Sequence, residues 1–220
     1  MNGPDLLTRC IGYSPQLLDG ALTTFLLSAV AVCCGFFVGV FVYTMSVSDS
    51  RLMRGTARVY VSVLRGTPVL AQLLVFYYVP SALGLELPGL AAAVIGLSLN
   101  TGAYQSQILG AGFRSIAPGQ IEAASTFNLT RAQTLWHIEV PQVVRATLPA
   151  LVSEMIDIVK ASAVVSVISV TDLMRVGQQL SSSTYRPLEV YALAAVFYLA
   201  ITSLLAGAGH VYALRVARRP

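Results

Sequence analysis

Long apolar runs separated by short polar segments dominate the chain. A membrane-spanning helix needs about 20 apolar residues at 1.5 Å of rise each. Five runs reach that length, at about residues 21–45, 59–80, 89–111, 148–170 and 189–213. The first run is too long for a signal-peptide core and lacks a cleavage pattern, so we interpret it as a retained helix. The pattern predicts an all-α, polytopic membrane protein in which residues 1–220 form a single transmembrane domain.

The composition supports a membrane environment. Hydrophobic residues make up 55% of the chain and charged residues 11%, whereas soluble proteins carry about 25% charged residues. A soluble protein this poor in charge would expose large apolar patches. Disorder is excluded by the same figures, because disordered segments combine low hydrophobicity with high net charge.

The arginines predict an orientation with the N-terminus outside and the C-terminus inside. The formal net charge is +4, but no Lys/Arg stripe interleaved with aromatics indicates nucleic-acid binding. With a cytoplasmic C-terminus, nine arginines lie in inner segments: Arg51, Arg54, Arg58, Arg114, Arg131, Arg145, Arg215, Arg218 and Arg219. Three lie in outer ones: Arg9, Arg175 and Arg186. Pro4 to Asp19 would then be an outer segment along the membrane surface.

The longest inner segment, residues 112–145, is neither apolar enough to span nor loop-like. Its pattern predicts one short helix over Gly119–Asn128 and a second over about Thr130–Glu139. Asn128 suits a left-handed C-terminal position, and Thr130 suits an N-cap. Such a pair of helices would present a compact face to a cytoplasmic partner.

The fourth predicted span carries Glu154, Asp157 and Lys160 within about a third of the helix circumference and about 9 Å of rise. Charged residues inside a membrane are costly and usually face protein or a watery path. Two interpretations are open. Asp157 and Lys160 can neutralise each other at i,i+3, or the three residues form a site for a zwitterion.

The second and third predicted spans add polar features. Pro68 cannot donate to the Leu64 carbonyl, and Gly66 beside Thr67 lets the backbone bend. The result is either a simple proline kink or freed carbonyls that line a cavity. A neutral stripe follows that either packs helices or lines the same path: Asn100, Thr101, Tyr104, Gln105 and Gln107.

Gly35 and Gly39 in the first span have the spacing that lets helices approach closely. Ordinary glycine usage in membrane helices explains them equally well.

Catalytic motifs are missing from the sequence. Lys160 is the only lysine, so the chain has no phosphate-binding loop of the G-x-x-x-x-G-K-[ST] type. His137 and His210 lack acidic or cysteine neighbours, and no nucleophile motif occurs. We expect no enzyme activity, no metal and no cofactor in this chain.

The inner segment carries a recognisable motif. Glu122-Ala123-Ala124, followed by Ile138-Glu139-Val140-Pro141, resembles the EAA loop of bacterial ABC importer permeases. Asn128 stands where that family usually has glycine, and Val140 stands where it has leucine. Asn is the non-glycine residue that best tolerates a left-handed conformation, so we expect the turn to form.

The wider resemblance, over about Leu17 to Ala206, is to the permeases for polar amino acids of the histidine, glutamine, arginine and opine type. It rests on Leu18-Asp19-Gly20, Arg65-Gly66-Thr67-Pro68, Ala103-Tyr104, Ser115-Ile116, Gly119-Gln120, Pro141-Gln142, Leu148-Pro149 and Ser166-Val167-Ile168. One position and one short segment differ from that branch. Gln107 stands where an acidic residue is common, and Lys160-Ala161-Ser162-Ala163-Val164 replaces K-x-T-S-L.

The resemblance implies a type I importer in the bacterial inner membrane. Two permeases, identical or sister chains, would join two ATPase subunits that bind ATP and Mg²⁺ and an external solute-binding protein. The ATPase-coupling residues would be Glu122, Ala123, Ala124, Phe127 and Asn128. The substrate path would use Gly66, Thr67, Tyr104, Gln107, Glu154, Asp157 and Lys160. The alternative is an ion channel or proton-linked carrier that uses the charged face of the fourth span.

Overall fold

The structure, a computed structural model, describes residues 5–217, and its regular elements are helical throughout that range. The first four are α1 (Leu6–Ser46), α2 (Arg51–Gly66), α3 (Val69–Ala82) and α4 (Gly89–Arg114). The later ones are α5 (Pro118–Thr126), α6 (Arg131–Thr134), α7 (Val140–Ala161), α8 (Leu173–Thr184) and α9 (Pro187–Ala217). A π-helical stretch, Leu135–Glu139, precedes α7, and a 3₁₀ stretch, Ser162–Ile168, follows it. Pro4, Arg218 and Arg219, used above, lie outside the described residues.

Helices α1 and α4 pack closely, because glycine lies at the crossing on both sides. A Cβ atom on Gly35 would lie 3.0 Å from the Ser98 carbonyl oxygen, and one on Gly39 would lie 3.0 Å from the Gln105 Cβ. Both distances leave no room for a side chain. The interpretation of Gly35 and Gly39 as close-approach residues is therefore confirmed.

Two apolar clusters pack around α1. The first joins its middle to α3, α4, α7 and the 3₁₀ stretch through Leu27, Ala31, Leu73, Ala92, Ala93, Leu97, Ile158, Val165, Ile168 and Val170. The second joins its beginning to α8 and α9 through Leu17, Ala21, Leu173, Val176, Leu180, Val190 and Ala194. Helix α1 thus packs against almost every other long element.

The helices differ in how well their length and hydropathy match those of a membrane span. Thr8–Ser46 and Pro187–Ala213 are each long and apolar enough to cross a membrane, and α2 with α3 makes a third candidate as a bent pair. Helix α4 is more polar because it is mostly buried within the chain, and its buried face includes Asn100, Thr101 and Gln105. Polar groups of this kind face protein, not lipid.

The second predicted span is not one helix. Helix α2 ends at Gly66, α3 begins at Val69, and the chain bends by 109° between them. Thr67 and Pro68 have extended backbones, with ψ of 150° and 136°. A proline excludes the helical conformation at the residue before it and cannot donate to the preceding turn. The prediction of a single helix over residues 59–80 is therefore wrong, and so is the milder prediction of a kink.

The prediction of a separate surface segment before the first span is also wrong. Residues from Leu6 to Ser46 form one helix of 41 residues that passes Asp19 without interruption. Pro15 lies inside it. The reason is tertiary: Leu17 and Ala21 are buried against α8 and α9, so the polar residues near Asp19 do not end the helix.

The second short inner helix is not separate from the fourth span. Helix α6, the π-helical stretch and α7 follow one another without a break from Arg131 to Ala161. Pro141 lacks the N–H that the His137 carbonyl would accept in an α-helix. The wider π turn ends at Glu139, two residues before Pro141, and the chain continues as a helix. The fourth span then changes to 3₁₀ geometry at Ser162 instead of remaining α-helical to Val170.

Helix α8 was not predicted. Its buried residues recur at helical spacing, as Leu173, Val176, Gly177 and Leu180, and the Asp172 carboxylate caps it by accepting from the Arg175 N–H at 2.8 Å. The Leu173 N–H donates to Thr24 Oγ1 of α1 at 3.0 Å. Asp172 is fully buried, and burial raises the pKa of its carboxyl to about 6. The cap and the apolar spacing are both readable in the sequence.

Substituting Gly35 by alanine is expected to destabilise the chain by about 1–3 kcal/mol, since the new Cβ would lie against the Ser98 carbonyl and the Thr101 methyl group. Thermal unfolding in detergent, followed by the fluorescence of the single tryptophan, Trp136, measures this. Gly207→Ala is the control, because a Cβ at Gly207 meets nothing within 4 Å. Equal stability of the two variants would show that α1 and α4 are not in close contact.

Candidate functional site

Local sequence chemistry shapes the inner segment as expected at two positions. Helix α5 begins at Pro118 and ends before Asn128, whose φ of 54° is left-handed. Thr130 then caps α6: its hydroxyl accepts from the Gln133 N–H, and its own N–H donates to Gln133 Oε1 at 2.8 Å. The predictions for Asn128 and Thr130 are confirmed. The first short helix ends two residues earlier than predicted, at Thr126.

The exposed side of this segment mixes one carboxylate with large apolar groups. Phe127 is 80% exposed and Trp136 is 66% exposed. Glu122 and Ala123 are exposed as well, and no hydrogen bond or ion pair joins the Glu122 carboxylate to another residue of the described chain. Ala124 turns toward its own chain, with 3% of its surface exposed. We call the exposed residues Glu122, Ala123, Phe127 and Trp136 the coupling surface, after the role that the family resemblance implies for the first three. Trp136 was not singled out from the sequence.

Polar contacts fix the coupling surface to the base of α7. Gln142 Nε2 donates to Gln120 Oε1 of α5 at 2.6 Å. Glu139 is buried and pairs with Arg131. Because α6, the π-helical stretch and α7 are continuous, the Gln120–Gln142 hydrogen bond links α5 to the same helical stretch that includes α7.

Buried amides satisfy the carbonyls that the break between α2 and α3 leaves free. Gln72 Nε2 donates to the Leu64 carbonyl at 2.7 Å and to the Thr67 carbonyl at 3.0 Å. Asn100 Nδ2 of α4 donates to Gln72 Oε1 at 3.0 Å and to the same Leu64 carbonyl at 3.3 Å. The freed Leu64 carbonyl therefore bonds within the protein instead of lining a cavity. Gln72 was missed, although an amide four residues after a proline in an apolar run is a readable signal.

Gly66 and Thr67 themselves are exposed on the surface of this chain. A Cβ on Gly66 would meet nothing within 4 Å, so no close contact within the chain requires glycine there. The Thr67 hydroxyl donates to the Val63 carbonyl at 2.8 Å. The outer side of the break is therefore exposed on the surface of the single chain.

The polar residues of the third predicted span face two different environments. Thr101 and Gln105 connect helices: Gln105 Nε2 donates to the Val32 carbonyl of α1 at 3.1 Å and to Thr101 Oγ1 at 3.1 Å. Tyr104 and Gln107 instead line a cavity of about 380 Å³. Thr101 and Gln105 thus pack helices together, and the role of Tyr104 and Gln107 in a substrate path stays a prediction.

The cavity lies between α2, α4 and α7, and one positively charged side chain, Arg65, lines it. The Arg65 guanidinium carbon lies 4.9 Å from the centre of the Tyr104 ring. Thr147 and Ala150 of α7 form the opposite wall. A guanidinium on an aromatic face keeps its charge while packing against carbon.

The three charges of the fourth span separate into two groups. Glu154 is 8% exposed and accepts a hydrogen bond from the Thr101 hydroxyl at 2.8 Å. Lys160 Nζ and Asp157 Oδ1 are 2.7 Å apart, and their side chains are 59% and 64% exposed. The i,i+3 pair therefore forms, and Glu154 belongs to a different, interior environment. The described residues contain no group of three or more potential metal ligands.

Comparisons with known proteins agree on one family. The sequence model described as "binding-protein-dependent transport system inner membrane component" matches residues 31–217. A probable amino-acid ABC transporter permease of Bacillus subtilis, YckA, is 34% identical over 192 residues, which is 87% of this chain and 85% of that protein. A putative glutamine transport system permease of Rickettsia felis, GlnP, is 34% identical over 89% of this chain and 91% of its own length.

Solved structures show the same relationship. A crystal structure of an amino acid ABC transporter with histidines superposes with a TM-score of 0.90 at 34% identity, covering 97% of this chain and 100% of that one. An inward-facing MetNI methionine ABC transporter shares the fold with a TM-score of 0.77 at 22% identity, covering 92% and 97%. The channel alternative finds no support among these relatives. The chain therefore belongs to the binding-protein-dependent transport system inner membrane components, as a membrane permease of an ABC transporter and not an enzyme.

Proposed function

We propose that this chain forms the translocation path for a polar amino acid, or a derivative of one, in an ATP-driven importer. One observation carries the proposal: an exposed helix on the inner side, α5, is bonded to the same helical rod that holds Glu154, Asp157 and Lys160. Relatives described as permeases for glutamine and arginine support the substrate class. The exposed helix α5 and the charged surface of α7 are thus linked by a hydrogen bond and a continuous helix.

The topology that fits is five spans with the N-terminus outside and the C-terminus inside. The spans are α1, the bent pair α2–α3, α4, α7 with its 3₁₀ end, and α9. The coupling surface follows α4, so it lies at the same end as the first turns of α2, which carry Arg51, Arg54 and Arg58. Helix α8 then lies on the outer side between the last two spans.

The coupling surface would dock in a groove on an ATPase subunit that binds ATP and Mg²⁺. Phe127 and Trp136 supply exposed aromatic area, which is typical of the centre of an interface. Ala123 lets the partner approach closely, and the Glu122 carboxylate is available for a basic group. Closure of the ATPases would pull on α5 and move α7 through the Gln120–Gln142 bond.

The exposed ion pair supports a second permease. An Asp157–Lys160 pair more than half exposed cannot face hydrocarbon cheaply, because a charged group at the membrane centre costs about 3 kcal/mol or more. A second permease, identical or sister, would cover the pair or enclose a watery path beside it. Gly66 and Thr67, exposed at the break, would face the same path.

The substrate would meet charges of both signs along this path. Arg65 on the Tyr104 face and Lys160 can each bind a carboxylate, while Asp157 can bind an ammonium group and buried Glu154 adds negative charge from the interior. Gln107 lines the cavity without charge. The separation of buried Glu154 from the exposed pair argues against one continuous row of charges for ions. An external solute-binding protein would deliver the substrate to the outer side.

Glu122→Arg is expected to abolish coupling. The substitution replaces an available carboxylate by a like charge opposite a basic partner, so the amount of ATPase co-purified with the chain should fall about tenfold or more. Mass spectrometry of the tagged chain purified in mild detergent measures this. Glu86→Arg is the matched control, since Glu86 is exposed in the loop between α3 and α4, away from the coupling surface. Normal recovery of an ATPase with the Glu122 variant would contradict the docking.

Glu154→Gln is expected to lower ATP-driven uptake about tenfold or more while assembly remains intact. The amide keeps the size of the side chain and can still accept from Thr101, so only the charge is lost. Uptake of labelled glutamine, arginine and histidine into vesicles with the binding protein measures this. Glu154→Ala should fail in the same way. Full uptake by the glutamine variant would assign Glu154 a purely structural role.

Lys160→Met should impair uptake by about tenfold. The double variant Asp157→Asn/Lys160→Met then distinguishes a role of Lys160 in the substrate path from simple neutralisation of Asp157. If the lysine serves the substrate path, the double variant stays impaired although it leaves no unpaired charge. If the pair only neutralises itself, removing both charges restores uptake. Restored uptake would remove the pair from the proposed path.

A further inference from the structure

A cavity of about 540 Å³ at the inner ends of α1, α2 and α4 gathers three arginines. Arg54 and Arg58 come from the first turns of α2, and Arg114 comes from the last turn of α4. Hydroxyl groups line the rest of it, among them Tyr43 of α1 and Ser106 of α4. We call this the basic cavity. It is a different cavity from the one that holds Arg65.

The charge of the basic cavity is not neutralised within the described residues. Their ion pairs involve Arg9, Arg131, Lys160 and Arg186, and none of the three arginines of the basic cavity. Arg54 Nη1 donates to the Ser48 carbonyl at 2.5 Å, which holds the guanidinium in place without cancelling its charge. Three guanidinium groups around one cavity repel each other and favour a bound anion.

An apolar groove of about 510 Å³ adjoins the basic cavity. Residues of α1 form one wall, namely Phe37, Val38, Phe41, Val42 and Met45, and Thr56, Ala57, Tyr60 and Leu99 complete the groove. Ala57 lines both the groove and the basic cavity, so the two meet at that residue. From Met45 to Phe37 the groove follows α1 for about 12 Å away from the inner end.

We propose that the basic cavity and the apolar groove together bind one anionic phospholipid. Its phosphate headgroup would lie among Arg54, Arg58 and Arg114, and part of an acyl chain would follow the groove beside Phe41. Guanidinium groups bind phosphate oxygens in a bidentate way, and basic pockets between membrane helices suit anionic headgroups. Placement in the inner leaflet rests on the orientation proposed above.

Other occupants fit this surface less well. A free phosphate ion would use the arginines but leave the groove empty. A second copy of the chain, related by a two-fold axis through this patch, would set arginines against arginines. A phospholipid satisfies the charged end and the apolar end at once.

The lipid would stabilise an otherwise weakly held helix. Ala57 and Leu64 are the buried residues of α2. A lipid between α1, α2 and α4 would hold the first turns of α2 in place, while the last turn of the same helix carries Arg65 at the other cavity. The binding of the lipid would thereby position a residue of the proposed substrate path.

Native mass spectrometry of the delipidated, purified full-length chain, titrated with phosphatidylglycerol or phosphatidylcholine of the same acyl chains, tests the proposal. Phosphatidylglycerol should bind about tenfold or more tightly than phosphatidylcholine. Each arginine near a headgroup contributes about fivefold, so the Arg58→Gln/Arg114→Gln variant should lose about 25-fold in affinity for phosphatidylglycerol. Arg58→Lys/Arg114→Lys should keep most of the affinity.

Matched controls separate the two parts of the site. Arg51→Gln removes one charge from an exposed position on α2 that does not line the basic cavity, and it should change affinity less than about twofold. Thr56→Trp fills the groove and should weaken both lipids, whereas Leu52→Trp, on the exposed side one turn earlier, should weaken neither.

Three results would overturn the lipid site. Equal affinities for the two lipids would remove the role of the arginines. Competition by glycerol 3-phosphate as strong as that by phosphatidylglycerol, without an effect of Thr56→Trp, would indicate a site for a soluble phosphate. Loss of permease dimers in the double glutamine variant with unchanged lipid binding would indicate a subunit interface. The titration needs neither ATPase nor transport, so it can fail or succeed independently of the proposed function.

Discussion

The Thr101 hydroxyl joins the three helices on which the fold depends. It donates to Glu154 of α7 and accepts from Gln105, which also bonds the Val32 carbonyl of α1. This arrangement is possible because glycines at the crossing let the backbones of α1 and α4 lie close together. In a membrane, a buried carboxylate without such partners would be costly, so the close packing of α1 on α4 and the position of Glu154 require each other.

The same requirement explains the break in the second span. Pro68 frees the Leu64 carbonyl, and the amides of Gln72 and Asn100 bond it inside the protein. The bend of 109° is therefore held at both sides of the break and is not a flexible hinge. Gly66 and Thr67 remain exposed at the break, although the Thr67 carbonyl also accepts from Gln72.

Three exposed surfaces of the single chain differ in chemistry and would therefore suit different partners. The coupling surface presents aromatic area and a carboxylate, the Asp157–Lys160 pair presents exposed charge, and the basic cavity presents three arginines beside an apolar groove. The partners proposed for them are a protein surface, a second permease and an anionic lipid. Continuous helix from Arg131 to Ala161 connects the first surface to the second.

The sequence by itself determined what depends on neighbours along the chain. The membrane class follows from composition, the left-handed Asn128 and the Thr130 cap follow from local backbone chemistry, and the Asp157–Lys160 pair follows from helical spacing. The family motif was readable because its residues lie within one segment. Helix α8 was also within reach, through the Asp172 cap and the spacing of its buried residues.

Only the tertiary structure decided the features that depend on what packs against a residue. Glu154 and Asp157 are three residues apart, yet one is buried against Thr101 and the other is exposed. The helix that begins at Leu6 continues past Asp19 because α8 and α9 cover it, and the partners of the Leu64 carbonyl come from two different helices. Spacing defines which side of a helix a residue occupies, but burial on that side depends on the contacts between helices. Those contacts join residues far apart in the chain, where periodicity carries no information.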